Sequence, residues 1–211
     1  MTENIEVFAQ NSIRIRGSVG TIYVDPFKLS EASHDADYIF VTHDHYDHFS
    51  PEDIAKVAKE GTLLIAPERM RKKAESDSGI ARIESVLPGN SYAVDGLNFE
   101  TVAMYNIMKP FHPKASQWCG YILSVDGERI YIAGDLDLIK EAQDVKRDIA
   151  LVPVGGFYTM DAKKAAELVN TIAPKVAIPV HYGSEVGNPK DGEAFAGFVK
   201  EGIEVVIKIP N

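Results

Sequence analysis

The 211 residues are 45% apolar, a length and composition that suit a single domain, residues 1–211, with a sizeable core and no bias towards disorder. No stretch approaches the roughly 20 apolar residues of a membrane helix, and the acidic start does not resemble a secretory signal. The one cysteine cannot form an internal disulfide. We therefore predict a cytoplasmic protein. The net charge of −9 argues against extended contact with a nucleic-acid backbone, which requires clustered Lys and Arg, although bound divalent cations could make the chain locally positive.

The first half of the chain is predicted to form short strands separated by two helices. Runs rich in Ile, Val and Tyr predict strands, and Gln10, Asn11 and Gly17 interrupt them as turn residues do. The predicted strands are residues 5–9, 12–16, 20–24, 38–41 and 63–66, and the predicted helices are residues 51–59 and 67–76.

The second half mixes hairpins with helices. Asp126-Gly127 is a hairpin turn between two apolar runs, and the apolar positions of residues 161–171 repeat at helical spacing. The predicted strands are residues 98–103, 120–125, 129–133, 149–153, 176–179 and 204–209, and the predicted helices are residues 161–171 and 192–201. This order indicates an α/β protein with mixed sheets.

A dense group of metal-binding side chains follows the strand at residues 38–41. His43, His45, Asp47 and His48 lie within six residues, and imidazole and carboxylate are good ligands for zinc and similar divalent ions. In an extended segment His43 and His45 point the same way, and the chain then turns towards a helix. Such a run can supply two adjacent metal ions.

The residues after this run are typical of a helix start. Ser50 is a candidate N-cap, Pro51 suits the first helical position, and Glu52 and Asp53 supply acidic side chains to the first turn. The histidine run therefore lies at the carboxyl end of a strand, where α/β folds place their ligands.

The same arrangement recurs twice further along the chain. Gly134-Asp135 follows the apolar strand at 129–133, and His181 follows the apolar strand at 176–179. Each strand thus has a candidate ligand just past its end. Taken alone, Asp135 and His181 could equally be ordinary polar residues, and His34 is predicted to be an exposed loop residue.

These motifs resemble the metallo-β-lactamase superfamily. Residues 42–48 resemble its HxHxDH signature, and residues 24–26, 133–135 and 179–181 resemble its other landmarks in the expected order. The resemblance covers about residues 20–209. It implies an αββα sandwich, in which two mixed β-sheets face each other, helices flank them and the site lies at one edge.

Within the superfamily, the chain looks most like small bacterial and archaeal hydrolases related to ascorbate-6-phosphate lactonase and N-acylphosphatidylethanolamine phospholipase D. Residues 111–114, 153–161 and 178–183 carry this closer resemblance. It implies a metal-dependent hydrolase that acts on a small molecule, which could be anionic.

The resemblance also implies a ligand set. One metal ion would be held by His43, His45 and His112, a second by Asp47, His48 and His181, and Asp135 would bridge them. The setting of His112 departs from the Gly-His-Thr pattern of many members, since Phe111 and Pro113 flank it, so a mononuclear site stays open. Asp25 would orient a ligand histidine through its free ring nitrogen; the alternative is a plain turn residue before Pro26.

The implied cofactors are two divalent ions, with zinc expected and Mn, Fe or Ni as alternatives. Two ions about 4 Å apart can hold a water between them and lower its pKa towards neutrality, so that a metal-bound hydroxide cleaves an ester, lactone or phosphodiester. Asp47 would serve in this step as a ligand, and Tyr158, after Gly155-Gly156, could steady developing negative charge. Thr159 is predicted to cap the helix that follows. Lys114 could bind an anionic group, or be a solvated surface lysine.

Two other functions stay open at this stage. A nuclease is less consistent with the acidic chain, and nucleic acid is not the expected partner. A metal-binding protein without hydrolytic activity belongs to a different class. Cys119 is predicted to be a buried small residue and not a nucleophile. A homo-oligomer is possible.

Overall fold

Two β-sheets form the interior of the protein. The computed structural model describes residues 2–209, so positions 1, 210 and 211 of the predicted domain lie outside the described residues. The first sheet has six strands in chain order, with β1 to β3 antiparallel and β3 to β6 parallel. Its strands are β1 (Ile5–Val7), β2 (Ile13–Gly17), β3 (Gly20–Val24), β4 (Ala36–Phe40), β5 (Ala58–Pro67) and β6 (Arg82–Val86).

The second sheet has seven strands. Its strands are β7 (Ser91–Val94), β8 (Leu97–Ala103), β9 (Cys119–Val125), β10 (Glu128–Ile132), β11 (Ile149–Pro153), β12 (Val176–Val180) and β13 (Glu204–Val205). They lie side by side in the order β13-β12-β11-β10-β9-β8-β7, antiparallel from β7 to β10 and parallel from β10 to β13. Both sheets are therefore mixed, as the sequence predicts.

Helices cover the outer faces of both sheets. The helices are α1 (Pro51–Val57), α2 (Arg71–Asp77), α3 (Lys140–Gln143), α4 (Ala162–Ile172) and α5 (Asp191–Phe198). Apolar residues of α1 and α2 pack on the first sheet, and those of α3, α4 and α5 pack on the second. A third cluster, drawn from both sheets, fills the space between them. This is the predicted αββα sandwich.

Strand β4 shows why the sequence folds into layers. Tyr38 and Phe40 point into the core between the sheets, whereas Ile39 packs in the cluster under the helices. Successive strand residues face opposite sides, so a strand buried on both sides must be apolar throughout. Phe40 meets Phe99 and Tyr121 of the second sheet edge to face, with ring centroids 5.0 and 4.9 Å apart, an arrangement that favours aromatic pairs.

Several predicted boundaries are wrong. The helix predicted at 51–59 ends at Val57, because Ala58 is already extended and begins β5. The strand predicted at 204–209 is limited to β13. Strands β6 and β7 were not predicted, since their residues are half exposed and carry no continuous apolar run. No helix in residues 2–209 is both long enough and apolar enough to cross a bilayer.

Asp53 ties the start of α1 to the loop after β3. Its carboxylate accepts hydrogen bonds from the backbone N–H groups of Lys28 and Leu29, each at 3.0 Å, and from Lys56 Nζ at 3.0 Å. Burial opposes ionisation, but these donors outweigh it and hold the pKa of Asp53 below its usual value. The side chain is 5% exposed, so removing the charge leaves buried donors unpaired.

We expect Asp53→Ala to lower the free energy of unfolding by about 1–3 kcal/mol at pH 7, measured by urea denaturation. The folded-state pKa lies below the unfolded one, so this contribution is present at neutral pH and is lost as pH falls below about 4. The difference between wild type and variant should therefore shrink at pH 3. Glu52→Ala, on the exposed side of the same turn, is the control, and an equal loss there would contradict this role.

Candidate metal centre

The metal-binding side chains come from loops at one edge of the sandwich. Residues 42–48 follow β4, Asp135 follows β10 and His181 directly follows β12. His112 lies in the loop between β8 and β9. The carboxyl ends of β4 in the first sheet and of β8, β10 and β12 in the second lie at the same edge of the sandwich, and this brings together five of the six histidines of the chain. His34 is exposed and lies outside the cluster, as predicted.

Three histidines form the first group. One ring nitrogen from each of His43, His45 and His112 lies within 4.8 Å of the others. His43 Nε2 and His45 Nδ1 are 3.0 Å apart, so at most one proton fits between the two nitrogens. Three imidazoles converging in this way can supply three lone pairs to one cation.

Asp47, His48 and His181 form the second group. His48 Nε2 lies 3.2 Å from His181 Nε2, and Asp47 Oδ2 lies 3.4 and 3.3 Å from these two nitrogens. The three atoms form a nearly equilateral triangle. Its geometry matches a set of ligands that share one cation.

Asp135 lies between the two groups. Its Oδ2 is 3.5 Å from His112 Nε2 and 3.2 Å from His181 Nε2, and its Oδ1 is 3.5 Å from His48 Nε2. The structure therefore brings all seven residues together, with Asp135 in the position that a bridging ligand needs.

Polar partners behind the rings fix which nitrogen faces inward. The Asp25 carboxylate accepts a hydrogen bond from His48 Nδ1 at 2.7 Å, and Asn106 Oδ1 accepts one from His112 Nδ1 at 2.8 Å. This assignment of protons follows from the hydrogen-bond network. It leaves the Nε2 lone pairs of His48 and His112 directed into the cluster, as metal ligands require.

Three further hydrogen bonds hold the carboxylate of Asp25 in place. It accepts hydrogen bonds from Asn11 Nδ2 at 2.7 Å, from the Thr42 N–H at 2.8 Å and from Thr42 Oγ1 at 2.6 Å. Thr42 Oγ1 also lies 3.0 Å from His43 Nδ1. The predicted contact of Asp25 with a ligand histidine is thus present, and it belongs to a larger network that reaches two histidines.

Several residues of this site escaped the sequence analysis. Asn106, Thr42 and Asn11 hold ligands or their partners, and Gln10 Nε2 lies 3.4 Å from His181 Nε2. Trp118, the one tryptophan of the chain, has its ring centroid 5.0 Å from that of His43, 5.3 Å from His45 and 5.8 Å from His112. None stands in a recognisable motif, although Asn11 and Thr42 adjoin predicted strand ends.

Two forces move the histidine pKa values in opposite directions. Burial lowers the pKa of His43 well below its usual value, and that of His112 to about 4. Burial is also the largest single effect on His181 and His48 and lowers their pKa values, but the neighbouring carboxylates together outweigh it. Asp135 and Asp47 raise the pKa of His181 to about 9, and Asp135, Asp25 and Asp47 raise that of His48 well above normal. The buried carboxylate of Asp135 thus favours positive charge on the groups that surround it.

Divalent cations fit this donor set. Among the described residues, His112 Nε2 and Asp135 Oδ1 are buried without any hydrogen-bond partner, and a buried lone pair without a partner is unfavourable. Nitrogen and carboxylate oxygen are the ligands of zinc and similar ions. Cations bound here would satisfy both orphaned atoms.

The backbone around the cluster is strained and tightly packed. His181 and Asp25 have φ values of +59° and +45°, a left-handed conformation that side chains other than glycine rarely adopt. A Cβ at Gly155 would lie 2.3 Å from the His181 carbonyl oxygen, so glycine is required where these loops meet. Strain of this kind persists only where the surrounding contacts hold it.

A cavity of about 380 Å³ opens beside the second group. It is lined by His45, Tyr46, Asp47, Phe111, Asp135, Tyr158, His181, Glu185 and Val186. Tyr158, the predicted partner of a developing negative charge, is thus among the residues that line this cavity. A larger groove, of about 550 Å³, runs along β8 and contains none of the seven residues, so the chemistry assigns the smaller cavity to the site.

Three residues near the site, Lys114, Cys119 and Thr159, can be compared with their sequence predictions. Lys114 pairs with Glu141 at 2.8 Å and does not line the cavity, as a surface lysine would. Cys119 is fully buried, and burial raises its pKa to about 12, which does not suit a nucleophile. The prediction that Thr159 caps α4 is wrong: Asp161 accepts the Lys164 N–H at 2.8 Å, while the Thr159 hydroxyl bonds back to neighbouring carbonyl oxygens.

Known proteins share both the sequence and the fold. A family profile described as a beta-lactamase superfamily domain matches residues 4–181. A UPF0173 metal-dependent hydrolase of Thermococcus onnurineus is 30% identical over 207 residues, covering 90% of this chain and 89% of the relative. A Parabacteroides distasonis protein assigned as a metal-dependent hydrolase superposes with a TM-score of 0.81 at 32% identity, over 98% of this chain and 93% of that one. The metallo hydrolase Igni18 of Ignicoccus hospitalis, at 22% identity, shares the fold with a TM-score of 0.75 over 98% and 95% of the two chains.

We expect His112→Ala to lower the zinc content of the purified protein by about one ion per chain, because it removes one of three ligands from the first group. Mass spectrometry of the native protein measures the stoichiometry. Zinc titration followed by Trp118 fluorescence gives the affinity, since the indole touches this group. His34→Ala is the matched control. Unchanged stoichiometry and affinity in His112→Ala would remove His112 from the ligand set.

We expect Asn106→Ala to keep both ions at saturating zinc but to weaken the affinity of one about 10–100-fold, the usual effect of losing an outer partner of a ligand. Asn106→Asp retains an acceptor for His112 Nδ1 and should recover most of the affinity. Equal losses in the two variants would show that Asn106 acts through packing or through its amide hydrogen bond to the Tyr158 carbonyl oxygen, and not through the bond to His112.

Proposed function

Since the chain belongs to the beta-lactamase superfamily, as one of its UPF0173 metal-dependent hydrolases, we propose that it uses two divalent metal ions, preferably zinc, to hydrolyse an ester, lactone or phosphodiester bond of a small molecule. Mn, Fe or Ni are alternative metals. The proposal treats the chain as one domain that acts in the cytoplasm.

The two groups divide the ligands between the ions. In this proposal His43, His45 and His112 hold one ion, Asp47, His48 and His181 hold the other, and Asp135 contacts both. The single observation that carries the proposal is that two buried atoms of the cluster, His112 Nε2 and Asp135 Oδ1, have no hydrogen-bond partner among the described residues. Most buried polar atoms in proteins have a hydrogen-bond partner, so two unpaired lone pairs within one cluster of imidazoles and carboxylates support bound metal ions.

Bound divalent ions would supply an acidified water and would polarise the bond to be cleaved. The protein's own residues place the reactants. Asp47 directs Oδ2 at His48 and His181 and also lines the cavity, so its other oxygen can accept a hydrogen bond from the attacking water. Tyr158 lines the same cavity, and its hydroxyl would donate to the substrate oxygen that gains negative charge.

The two competing functions have weaker support. A nuclease would need cationic side chains along the approach to the site, but no Lys or Arg is among the described residues that line the cavity. A purely metal-binding role does not account for a cavity that opens onto Asp47 and Asp135. Hydrolysis would use both the bound metal ions and the cavity that opens onto them.

A substrate panel tests the proposal directly. The protein loaded separately with Zn, Mn, Fe or Ni would be assayed with p-nitrophenyl acetate, a simple lactone and bis-p-nitrophenyl phosphate. We expect turnover of at least one substrate, its loss on chelation and its return when metal is restored. Absence of turnover at full metal occupancy, or turnover that survives chelation, would contradict the proposal.

We expect Asp47→Ala to lower kcat by more than about 100-fold on any substrate that the panel identifies, since loss of an outer partner alone can reach that level. Its melting temperature should change little, because the side chain binds at a cavity wall and does not pack the core. Asp44→Ala, three positions earlier in the same run and outside the ligand groups, is the matched control. Retained turnover of Asp47→Ala at full metal content would show that the assigned chemistry is wrong.

A further inference from the structure

One wall of the cavity is aromatic. Phe111 and Tyr158 meet edge to face with ring centroids 4.6 Å apart, and Phe157 lies 5.5 Å from Phe111 and 4.7 Å from Tyr158. Tyr46 stands across the opening, 65% exposed, with its ring against Phe27. The aromatic surface at this mouth thus comes from three separate loops.

Phe157 is exposed at a strained position. Its side chain is 70% exposed and its φ is +40°, a conformation unfavourable for a bulky residue. A large exposed aromatic ring in such a conformation is not explained by folding, since neither its burial nor its backbone stabilises the protein. Exposed apolar surface beside a cavity is typical of a binding site.

Three lysines around the cavity have acidic partners. Lys28 pairs with Glu185, Lys114 with Glu141 at 2.8 Å and Lys109 with Asp137 at 2.6 Å. None of them lines the cavity. Among the described residues that line the cavity, none is a lysine or arginine, so none outside the candidate metal ligands can pair with a negatively charged group in the non-reacting part of a substrate.

The polar side chain at the mouth is itself acidic. Glu185 lines the cavity, accepts a hydrogen bond from the Tyr46 hydroxyl at 2.8 Å and pairs with Lys28. These donors hold its pKa below the usual value, so it carries negative charge at neutral pH. Glu185 lines the cavity whereas its partner Lys28 does not, so an anionic tail would lie closer to the carboxylate than to the ammonium group and would meet net repulsion.

We propose that the cavity selects substrates whose non-reacting part is uncharged and apolar, preferably an aromatic ring seated against Phe111 and Tyr158, and that it discriminates against substrates with an anionic tail. This inference rests on the proposed hydrolytic function and narrows its substrate class. If the substrate is anionic, we therefore expect its charge to lie in the group that reacts and not in the rest of the molecule.

Binding of metal-chelating hydroxamates tests the inference without turnover. Acetohydroxamate, benzohydroxamate and 4-carboxybenzohydroxamate present the same chelating group with a methyl, a phenyl or an anionic phenyl tail. Calorimetry on the zinc-loaded protein should give benzohydroxamate a Kd about tenfold or more below that of acetohydroxamate, as expected for burial of a ring. The carboxylated probe should bind about tenfold more weakly than benzohydroxamate.

Variants show which residues cause the preference for a phenyl tail and which cause the discrimination against an anionic tail. Phe111→Ala should remove most of the phenyl preference, measured as the ratio of the acetohydroxamate Kd to the benzohydroxamate Kd. Phe198→Ala, at an exposed phenylalanine on α5, should leave this ratio unchanged. Glu185→Gln removes the carboxylate and releases Lys28, so it should tighten binding of the carboxylated probe several-fold. A phenyl preference that persists in Phe111→Ala, or a carboxylated probe that binds wild type best, would overturn the inference.

Turnover of p-nitrophenyl acetate and p-nitrophenyl benzoate, measured in parallel, separates the two proposals. A phenyl preference in binding with no turnover of either ester or of the wider panel overturns hydrolysis and supports the cavity assignment. Turnover without any phenyl preference in binding or kcat/KM overturns the cavity assignment and supports hydrolysis. Failure of all three hydroxamates to bind would overturn both.

Discussion

The structure depends on one constraint: lone pairs buried at the edge of the sandwich need cations. His43, His48, His112 and His181 are each at most 1% exposed, and Asp135 is 2% exposed. In water such groups would be hydrated, and inside a protein they must be protonated, hydrogen-bonded or bound to metal. Too few protons fit between atoms 3.0–3.5 Å apart to satisfy all of them, which is the physical reason for assigning the cluster to metal ions.

The rest of the fold holds this cluster in place. Strands of the two sheets bring four loops to the same edge, and Asp25 and Asn106 orient the rings of two candidate ligands from behind. The left-handed backbone at His181 shows that the loops are held in conformations that they would not adopt alone. Stability of the sandwich therefore supplies the rigidity of the site, and a metal ion would in turn stabilise the folded chain.

The sequence predicts the layers and the ligands better than it predicts their supports. Apolar strand runs are local signals that predict an α/β protein with mixed sheets, and strand ends predict that Asp135 and His181 lie near the HxHxDH run. The αββα order is implied by the resemblance to the superfamily that these motifs carry. Asn106 and Trp118 reach the cluster only through the tertiary fold, and nothing in their sequence neighbourhood marks them. Thr159 was a plausible cap by residue type, but its hydroxyl bonds to carbonyl oxygens instead, a competition that only the folded backbone decides.

The most direct test of the central claim is anomalous diffraction at the zinc absorption edge from crystals of the zinc-loaded protein. Two ions in the two ligand groups should give two anomalous peaks about 3.5–4 Å apart, one beside His43, His45 and His112 and the other beside Asp47, His48 and His181, with Asp135 between them. A single peak at full zinc loading would contradict the two-ion account. Peaks away from these residues would contradict the metal site itself.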